Sequence, residues 1–293
     1  MNWRKIKDNF IGKSMLLAVG FANSIVLLIL LGLFIQSWPI LARKSVVDLL
    51  LSSSWHPLKG EFGFYPFIIG TLEVTAIAMI LAVPVCLLSA IYLVEYSRSR
   101  LRALAHVVVD IMAAIPSVIY GIWGVIVVVP FVRMLGAALD TPTTGYSLLA
   151  GGIILAIMVS PIIISVSMEV LRAVPVQARE TSLALGSTKW EAVKHVVLRS
   201  GRHGIISAIV LGFTRAFGET IAVLMIVGNV PEVPSSLFDP AYPLPALLAN
   251  NYGEMMSIPL YNSALLLSAL ILLLVVSGFN LMAHLTLLRI ERR

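Results

Sequence analysis

Six long apolar segments dominate this chain, and each is long enough to cross the hydrocarbon core of a lipid bilayer. That core is about 30 Å thick and needs about 20 consecutive apolar residues in a helix. Backbone polar groups inside lipid must be satisfied within the segment itself, so such segments fold as helices. Pro116 and Pro130 predict kinks or unwound points in the third segment. The sequence therefore predicts an all-α polytopic membrane protein with six spans, at residues 15–35, 67–94, 107–132, 148–171, 204–230 and 259–288.

Composition and charge support this fold class. Hydrophobic residues make up 59% of the 293 residues and charged residues only 12%, whereas soluble domains average about 25% charged residues. The 21 Lys and Arg residues outnumber the 15 Asp and Glu residues. Such an excess would suit a nucleic-acid partner, but the basic residues lie beside the apolar segments, where the positive-inside rule accounts for them. We therefore predict no nucleic-acid binding.

The distribution of basic residues also predicts the topology. With both termini in the cytoplasm, the inner segments hold sixteen of the 21 Lys and Arg residues, the outer segments hold four, and Arg215 lies inside a span. This asymmetry is the one that the positive-inside rule requires. A secretory signal would have an apolar region of only about 7–15 residues, so we expect the first span to be uncleaved. The predicted divisions are a cytoplasmic segment at 1–14, a first span with its outer loop at 15–66, a permease core at 67–288 and a cytoplasmic tail at 289–293.

Two opposite charges, Arg215 and Glu219, lie within the fifth predicted span. Residues four apart share one face of a helix, and ionisable residues inside a span are costly and commonly functional. A guanidinium can pair its N–H donors with an oxyanion, so Arg215 could bind an anion in transit while Glu219 holds its side chain or supplies a proton partner. The alternative is a structural ion pair that fixes helix register. Thr71 and Ser117 are weaker pathway candidates, because a hydroxyl in a span commonly bonds its own backbone.

A polar, basic interval at 172–203 separates the fourth and fifth spans and is predicted to be cytoplasmic. Pro175 suits the start of a helix. Gly186 suits a helix stop, and Thr188 suits a new N-cap. The sequence therefore predicts two short helices that meet at a glycine corner. The second, Lys189–Leu198, is predicted to be amphipathic, with Trp190, Val193, Val197 and Leu198 near one face.

Motifs in this interval and in the spans resemble known transport proteins. The spacing from Glu180 to Gly186 resembles the "EAA" loop of ATP-binding-cassette (ABC) importer permeases, with Thr181-Ser182 in place of the two alanines and no proline at the end of the pattern. Ile115-Pro-Ser-Val-Ile-Tyr-Gly121 and Arg215-Ala-Phe-Gly-Glu-Thr220 are similar to segments of phosphate importer permeases. The continuation after the second of these motifs resembles the PstC type more than the sister PstA type, and the resemblance extends over nearly the whole chain.

This resemblance implies the type I permease fold of ABC importers and passage of phosphate across the cytoplasmic membrane of a bacterium or archaeon. The partners it implies are a PstA-like second permease, a dimer of PstB-like ATPase subunits and a PstS-like external phosphate-binding protein. ATP and Mg²⁺ would be used by the ATPase, so that this chain would be non-catalytic and need no cofactor. The resemblance ties Arg215 and Glu219 to transport, and it implies ATPase contacts at Glu180, Leu183, Ala184, Gly186 and Trp190.

Several alternatives remain at this stage. The ion could be a related oxyanion, or the chain could be the PstA-like sister subunit. A secondary transporter or channel needs no ATPase, and the loop with a glycine corner argues against that class. A membrane scaffold that signals phosphate status could coexist with transport. No His, Cys and carboxylate set has metal-ligand spacing, and no nucleophile has a matching base, so we predict neither a metal site nor a hydrolase.

Overall fold

The structure is a computed structural model that describes residues 2–253 and 259–291. Residues 254–258 of the predicted last outer loop and the final two residues of the predicted tail lie outside the described residues. The helices are α1 (Asn2–Leu41), α2 (Val46–Leu51), α3 (Tyr65–Ile91), α4 (Ser99–Ala114), α5 (Ser117–Trp123), α6 (Val129–Ala138), α7 (Leu148–Ala173), α8 (Val176–Ala184), α9 (Lys189–Ala192), α10 (Leu198–Phe217), α11 (Ile221–Ile226), α12 (Leu244–Asn251) and α13 (Pro259–Glu291). Two short antiparallel strands, β1 (Trp55–His56) and β2 (Glu61–Phe62), lie between α2 and α3.

Three π turns continue or join these helices. Tyr92–Tyr96 extends α3, Gly124–Val128 joins α5 to α6, and Val193–Val197 joins α9 to α10. The second of them directly precedes Pro130 in the first turn of α6. A proline removes one N–H and crowds the preceding turn, and the wider π turn accommodates both effects. The sequence predicted a disturbance at Pro130, and the structure shows it as a π turn within a continuous helix.

Six stretches among the described residues are long and apolar enough to cross a membrane, which confirms the predicted number of spans. They are Phe10–Leu41, Tyr65–Tyr96, Ser117–Ala138, Leu148–Ala173, Lys189–Phe217 and Leu260–Ala283. The predicted starts of two spans are wrong, and the helix of the fifth ends at Phe217 and not at the predicted residue 230. The third span was predicted from residue 107, but the helix breaks before Pro116 because a proline disfavours the α conformation in the residue before it. The fifth was predicted from residue 204, but its helix begins at Lys189, after the Thr188 cap.

The centre of the fold is α7, with α3 and α10 packed along it. Glycines make the close approach possible. A Cβ atom on Gly212 of α10 would lie 2.5 Å from Cγ1 of Ile163 in α7, and one on Gly204 would meet Val170. Small residues at such contacts are typical of membrane helices, whose association depends on tight packing and not on a difference in polarity.

The segment between α1 and α3 folds back onto the helices and forms part of the core. The Trp55 ring lies 4.8 Å from that of Phe67 in α3 and 6.0 Å from that of Tyr261 in α13. α1 packs along α13, while much of its remaining apolar surface is exposed, as a lipid-facing helix requires. The first span and its outer segment are thus attached to α3 and α13.

A short buried helix, α12, lies in the segment predicted as a proline-rich outer loop. Leu244, Ala246 and Leu247 are each at most 1% exposed. The helix packs against α3, α11 and α13. The outer loop therefore contributes to the interior of the protein, which the sequence reading missed.

Candidate functional site

Two of the spans are broken, and their breaks lie next to each other. The third span is interrupted between α4 and α5, where Ile115 is extended with φ −67° and ψ 127° and Pro116 precedes the first residue of α5. The fifth is interrupted at residues 218–220, between α10 and α11. α5 and α11 pack against each other, and Gly121 makes room for Met225. Discontinuous helices of this kind form substrate sites in many transporters.

Both breaks lie near the middle of α7. Gly212 contacts Ile163, and Arg215 is three residues further along α10, about 4.5 Å nearer the Leu148 end of α7. Gly124 contacts Ile154, and Pro116 is eight residues earlier, about 12 Å back toward the opposite end. These offsets place Arg215 and Pro116 at about the same depth, level with the central turns of α7.

The predicted pairing of Arg215 with Glu219 on one helical face is wrong. α10 ends at Phe217, and Glu219 lies in the non-helical link. Among the described residues, no salt bridge joins Arg215 to Glu219. The Glu219 N–H bonds to the carbonyl of Ala216, a tighter turn than an α-helix makes. Within this chain the Arg215 side chain is exposed and Glu219 is half-buried, so both remain accessible at the break.

The other groups at the break come from α5. The Tyr120 hydroxyl donates to the Met112 carbonyl at 2.8 Å and so joins the two halves of the third span. Arg215 is close enough to Tyr120 to interact with it electrostatically. Ser117 is the first residue of α5 and is half-buried. Ser117, next to Pro116, therefore lies at about the same depth along α7 as Arg215.

The hydroxyl of Thr71, the second weaker pathway candidate, both donates and accepts a hydrogen bond. It donates to the Phe67 carbonyl at 2.6 Å and accepts from the Leu244 N–H at 2.8 Å. The residue is 2% exposed. Because Leu244 is the first residue of α12, the contact fastens α12 to α3, which favours a structural role for Thr71 over the predicted pathway role.

The predicted glycine corner is present between α8 and α9. Gly186 has φ +87°, a left-handed conformation that favours glycine. The Thr188 hydroxyl accepts from the Glu191 N–H, and the Glu191 carboxylate accepts from the Thr188 N–H at 2.7 Å. This capping box starts α9 at the predicted position.

The surface around the corner is apolar and exposed. Leu185 is 84% exposed, Trp190 50% and Leu183 47%, while Glu180, Ala184 and Gly186 are exposed as well. Large apolar side chains that project together into solvent mark a surface for a partner protein. All five residues predicted to contact an ATPase therefore lie on the accessible surface of this loop.

The second helix of the loop differs from the prediction in its length and in which of its apolar residues are buried. The predicted helix does not end at Leu198: α9 is followed without a break by the π turn and by α10, so it forms the beginning of the fifth span. Val193 and Val197 are buried against Met168 and Leu171, whereas Trp190 is half exposed. The predicted apolar face is therefore buried at the two valines and half exposed at Trp190, nearer the glycine corner.

A carboxylate also organises the surface at the opposite end of α7. Asp239 accepts hydrogen bonds from the Ser235 hydroxyl at 2.8 Å and from the N–H groups of Ser235 and Ser236 at 2.9 Å. These donors, the Ser235 hydroxyl foremost, hold the pKa of Asp239 below its ordinary value. The turn borders a cleft of about 280 Å³ that Glu73 also lines. This end of the molecule therefore presents a hydrogen-bonded carboxylate beside a cleft with mainly apolar walls.

Comparison with known proteins defines the class of this chain. Residues 82–293 match the family described as the binding-protein-dependent transport system inner membrane component. The chain belongs to this family and is a multi-pass membrane protein of the ABC importer permease fold. Membership implies an ATPase and a binding protein as partners.

Individual relatives have more specific names. The chain is 37% identical over 262 residues to the phosphate transport system permease protein PstC of Xylella fastidiosa, covering 84% of this chain and 80% of that protein. It is 36% identical to PstC of Mesorhizobium japonicum, over 93% of this chain and 89% of that protein. A probable PstC of Methanocaldococcus jannaschii is 34% identical, over 90% and 89%.

Solved structures agree on the fold. The inward-facing MetNI methionine ABC transporter matches with a TM-score of 0.59 at 18% identity, over 80% of this chain and 98% of that chain. A bacterial ABC transporter involved in import of the acidic polysaccharide alginate matches with a TM-score of 0.56 at 15% identity, over 96% and 98%. The predicted importer permease fold is confirmed.

Proposed function

We propose that this chain is a permease subunit of an ATP-driven importer that passes inorganic phosphate across the cytoplasmic membrane. The observation that carries the proposal is the tip of the loop, the exposed apolar surface that Leu183, Leu185 and Trp190 form around Gly186. It lies next to the ends of three spans, where a soluble ATPase subunit could bind it. The PstC relatives, which cover most of the chain, support phosphate as the ion. A secondary transporter would have no use for such a tip.

In this proposal the two breaks form part of the ion pathway. Arg215 supplies a fixed positive charge at mid-depth, and its planar guanidinium can donate paired N–H groups to a tetrahedral oxyanion. Ser117 and the half-helix that begins with it supply further donors at the same depth. Glu219 lies beside the break without a salt bridge to Arg215 among the described residues, so the guanidinium is available to the ion.

The exposure of Arg215 in the single chain also supports a second permease subunit. A cation facing lipid would be strongly disfavoured, so a related subunit closes over the break and completes the pathway. Two ATPase subunits bind the cytoplasmic tips of the two permeases and use ATP and Mg²⁺. An external phosphate-binding protein delivers the ion at the opposite face, where the Asp239 turn lies.

The topology of this proposal can be tested with single cysteines in a Cys86→Ser background. A cysteine at Ser182, in α8, should be protected from an impermeant thiol reagent in intact cells. A cysteine at Lys59, in the turn between β1 and β2, should be labelled. Labelling of the Ser182 position from outside would refute the orientation.

The pathway role is tested with Arg215→Gln combined with Glu219→Gln. The double variant leaves no uncompensated charge at the break, so it should insert and assemble with the ATPase, yet fail in ATP-dependent uptake of radiolabelled phosphate. Arg215→Lys should retain part of the uptake, because it keeps the charge and loses only the fork. Near-normal uptake by the double variant would show that the two side chains only maintain packing.

A further inference from the structure

The short helix α8 carries the proposed ATPase contacts, yet it has very little apolar packing of its own. None of its residues is buried, and its tip is exposed. A nine-residue helix without a buried face is not stable by itself. Something other than burial must therefore fix its position on the membrane part of the protein.

Arg179, in the middle of α8, makes the contacts that do so. One terminal nitrogen donates to the Val174 carbonyl at 2.9 Å, and the other donates to the Leu171 carbonyl at 2.6 Å. The second nitrogen also lies 3.0 Å from Oε1 of Glu95, and the two side chains are 17% and 10% exposed. The Glu95 contact is an ion pair without hydrogen-bond geometry. One guanidinium thus joins α8 to the end of α7 and to the end of α3.

The end of α3 that receives Arg179 is the π turn Tyr92–Tyr96, and two further cations hold the same turn. Arg102 donates to the carbonyls of Leu93 at 2.7 Å and of Val94 at 2.8 Å. Lys189, at the start of α9, lies 4.6 Å from the centre of the Tyr96 ring. Cations suit this position because the last carbonyls of a helix are unpaired and carry partial negative charge.

Two of these three cations come from the two sides of the glycine corner. Arg179 precedes Gly186 on α8 and Lys189 follows it on α9, so both arms of the loop are attached to α3. The loop is covalently continuous only with α7 and α10. The contacts at the π turn therefore link the loop directly to α3, in addition to the indirect link through the packing of α3 along α7 and α10.

We propose that Arg179 and Glu95 are positioning residues that make the end of α3 move together with α8. The proposal rests on the function proposed above, because it concerns how ATPase-driven movement of the loop reaches the spans. When the pair is intact, α8 and the π turn move as one body. When it is broken, α8 still binds the ATPase through its exposed tip, but its movement reaches α3 only indirectly, through Lys189 of α9 and through the packing of α3 against α7 and α10.

A distance measurement tests the link independently of transport. Spin labels on cysteines at Gln177 of α8 and Leu88 of α3, both exposed, report the separation of the two elements in the assembled complex, in a Cys86→Ser background. Glu95→Gln and Arg179→Met should each broaden the distance distribution. Unchanged distributions in both variants would overturn the proposal.

The coupling itself is measured as phosphate transported per ATP hydrolysed in proteoliposomes. Glu95→Gln, which keeps the shape of the side chain, should lower this ratio severalfold while ATPase binding and hydrolysis persist. Combining it with Arg179→Met should add little to the loss, since paired residues are not additive. Arg179→Lys keeps the positive charge and serves as a second, well-folded variant. Its ratio of phosphate transported to ATP hydrolysed should lie between those of Arg179→Met and the unaltered protein.

A matched control is available at the other end of the molecule. His56 and Glu61 form an ion pair at 3.2 Å in the hairpin region, far from the loop, and Glu61→Gln should leave both the distances and the ratio unchanged. Broadened distances with a normal transport ratio in Glu95→Gln would overturn the coupling role. Absence of ATP-dependent phosphate uptake by the unaltered complex would refute the proposed function, and the spin-label distances would still decide whether the link positions α8.

Discussion

Replacement of Gly186 by valine isolates the contribution of the glycine corner. The φ angle of +87° places this residue in the left-handed region, and a Cβ atom there would meet nothing within 4 Å. The cost is therefore backbone strain alone, about 1–2 kcal/mol or somewhat more for a β-branched residue. That strain lowers the population of the native corner by a factor of about 5–30 relative to relaxed alternatives. It is too small to unfold the spans, whose packing does not involve this residue.

ATP-driven uptake of radiolabelled phosphate should fall by about the same factor as the population of the native corner, because the tip of the loop would contact the ATPase in the wrong geometry. The amount of inserted protein, measured by immunoblot of membranes, should be unchanged. Gly60→Val is the matched control, since Gly60 has φ +75° and equally open surroundings but lies in the hairpin turn. Normal ATP-dependent uptake by a well-inserted Gly186→Val variant would refute the reasoning, as would equal losses in both variants.

Two further predictions concern packing. Thr71→Val should lower the thermal stability of the detergent-solubilised protein, because it leaves the buried Leu244 N–H without an acceptor, at a cost of about 1–3 kcal/mol. Thr71→Ser should restore most of the loss, and a melting temperature unaffected by the valine would count against the fastening of α12. Gly212→Ala should destabilise the α7–α10 contact by about 1–3 kcal/mol through overpacking against Ile163. Gly20→Ala, at an open position of α1, should have no such effect on the melting temperature, and equal effects would contradict the assignment.

Local features of the sequence were sufficient to predict the number of spans and the glycine corner. A long charge-free run has few options in lipid apart from a helix, so the number of spans follows from composition along the chain. The same holds for Gly186 and Thr188, because a helix stop and an N-cap depend on the residue itself and its immediate neighbours. Pro116 likewise marks a break that its own ring imposes.

Features that depend on distant parts of the chain could not be predicted in this way. α12 has only eight residues, too few for a clear periodic pattern, and it is buried because α3, α11 and α13 surround it. The ion pair of Arg179 with Glu95 joins a loop to a helix that precedes it by two spans. Nothing near either residue in the sequence indicates the other.

The error at Arg215 and Glu219 has a different origin. The spacing of four residues implies a shared face only if the helix is continuous, and Gly218 lies between the two. Glycine weakens a helix by about 1 kcal/mol relative to alanine, so the chain can leave the helix there and begin α11 against α5. The depth of Arg215 was predicted correctly as lying within a span, but the geometry of its neighbour was not.

The three π turns have a consequence for how the length of such a chain can vary. A π turn holds one residue more than the α turn it replaces, while the helices before and after it keep their own α geometry. Removal of one residue from Val193–Val197 would thus convert this turn to an α turn and leave each flanking helix facing the same neighbours. The same deletion within α7 would rotate everything beyond it by about 100°. Single-residue insertions and deletions among related chains are therefore expected at these three turns before they are expected elsewhere in the spans.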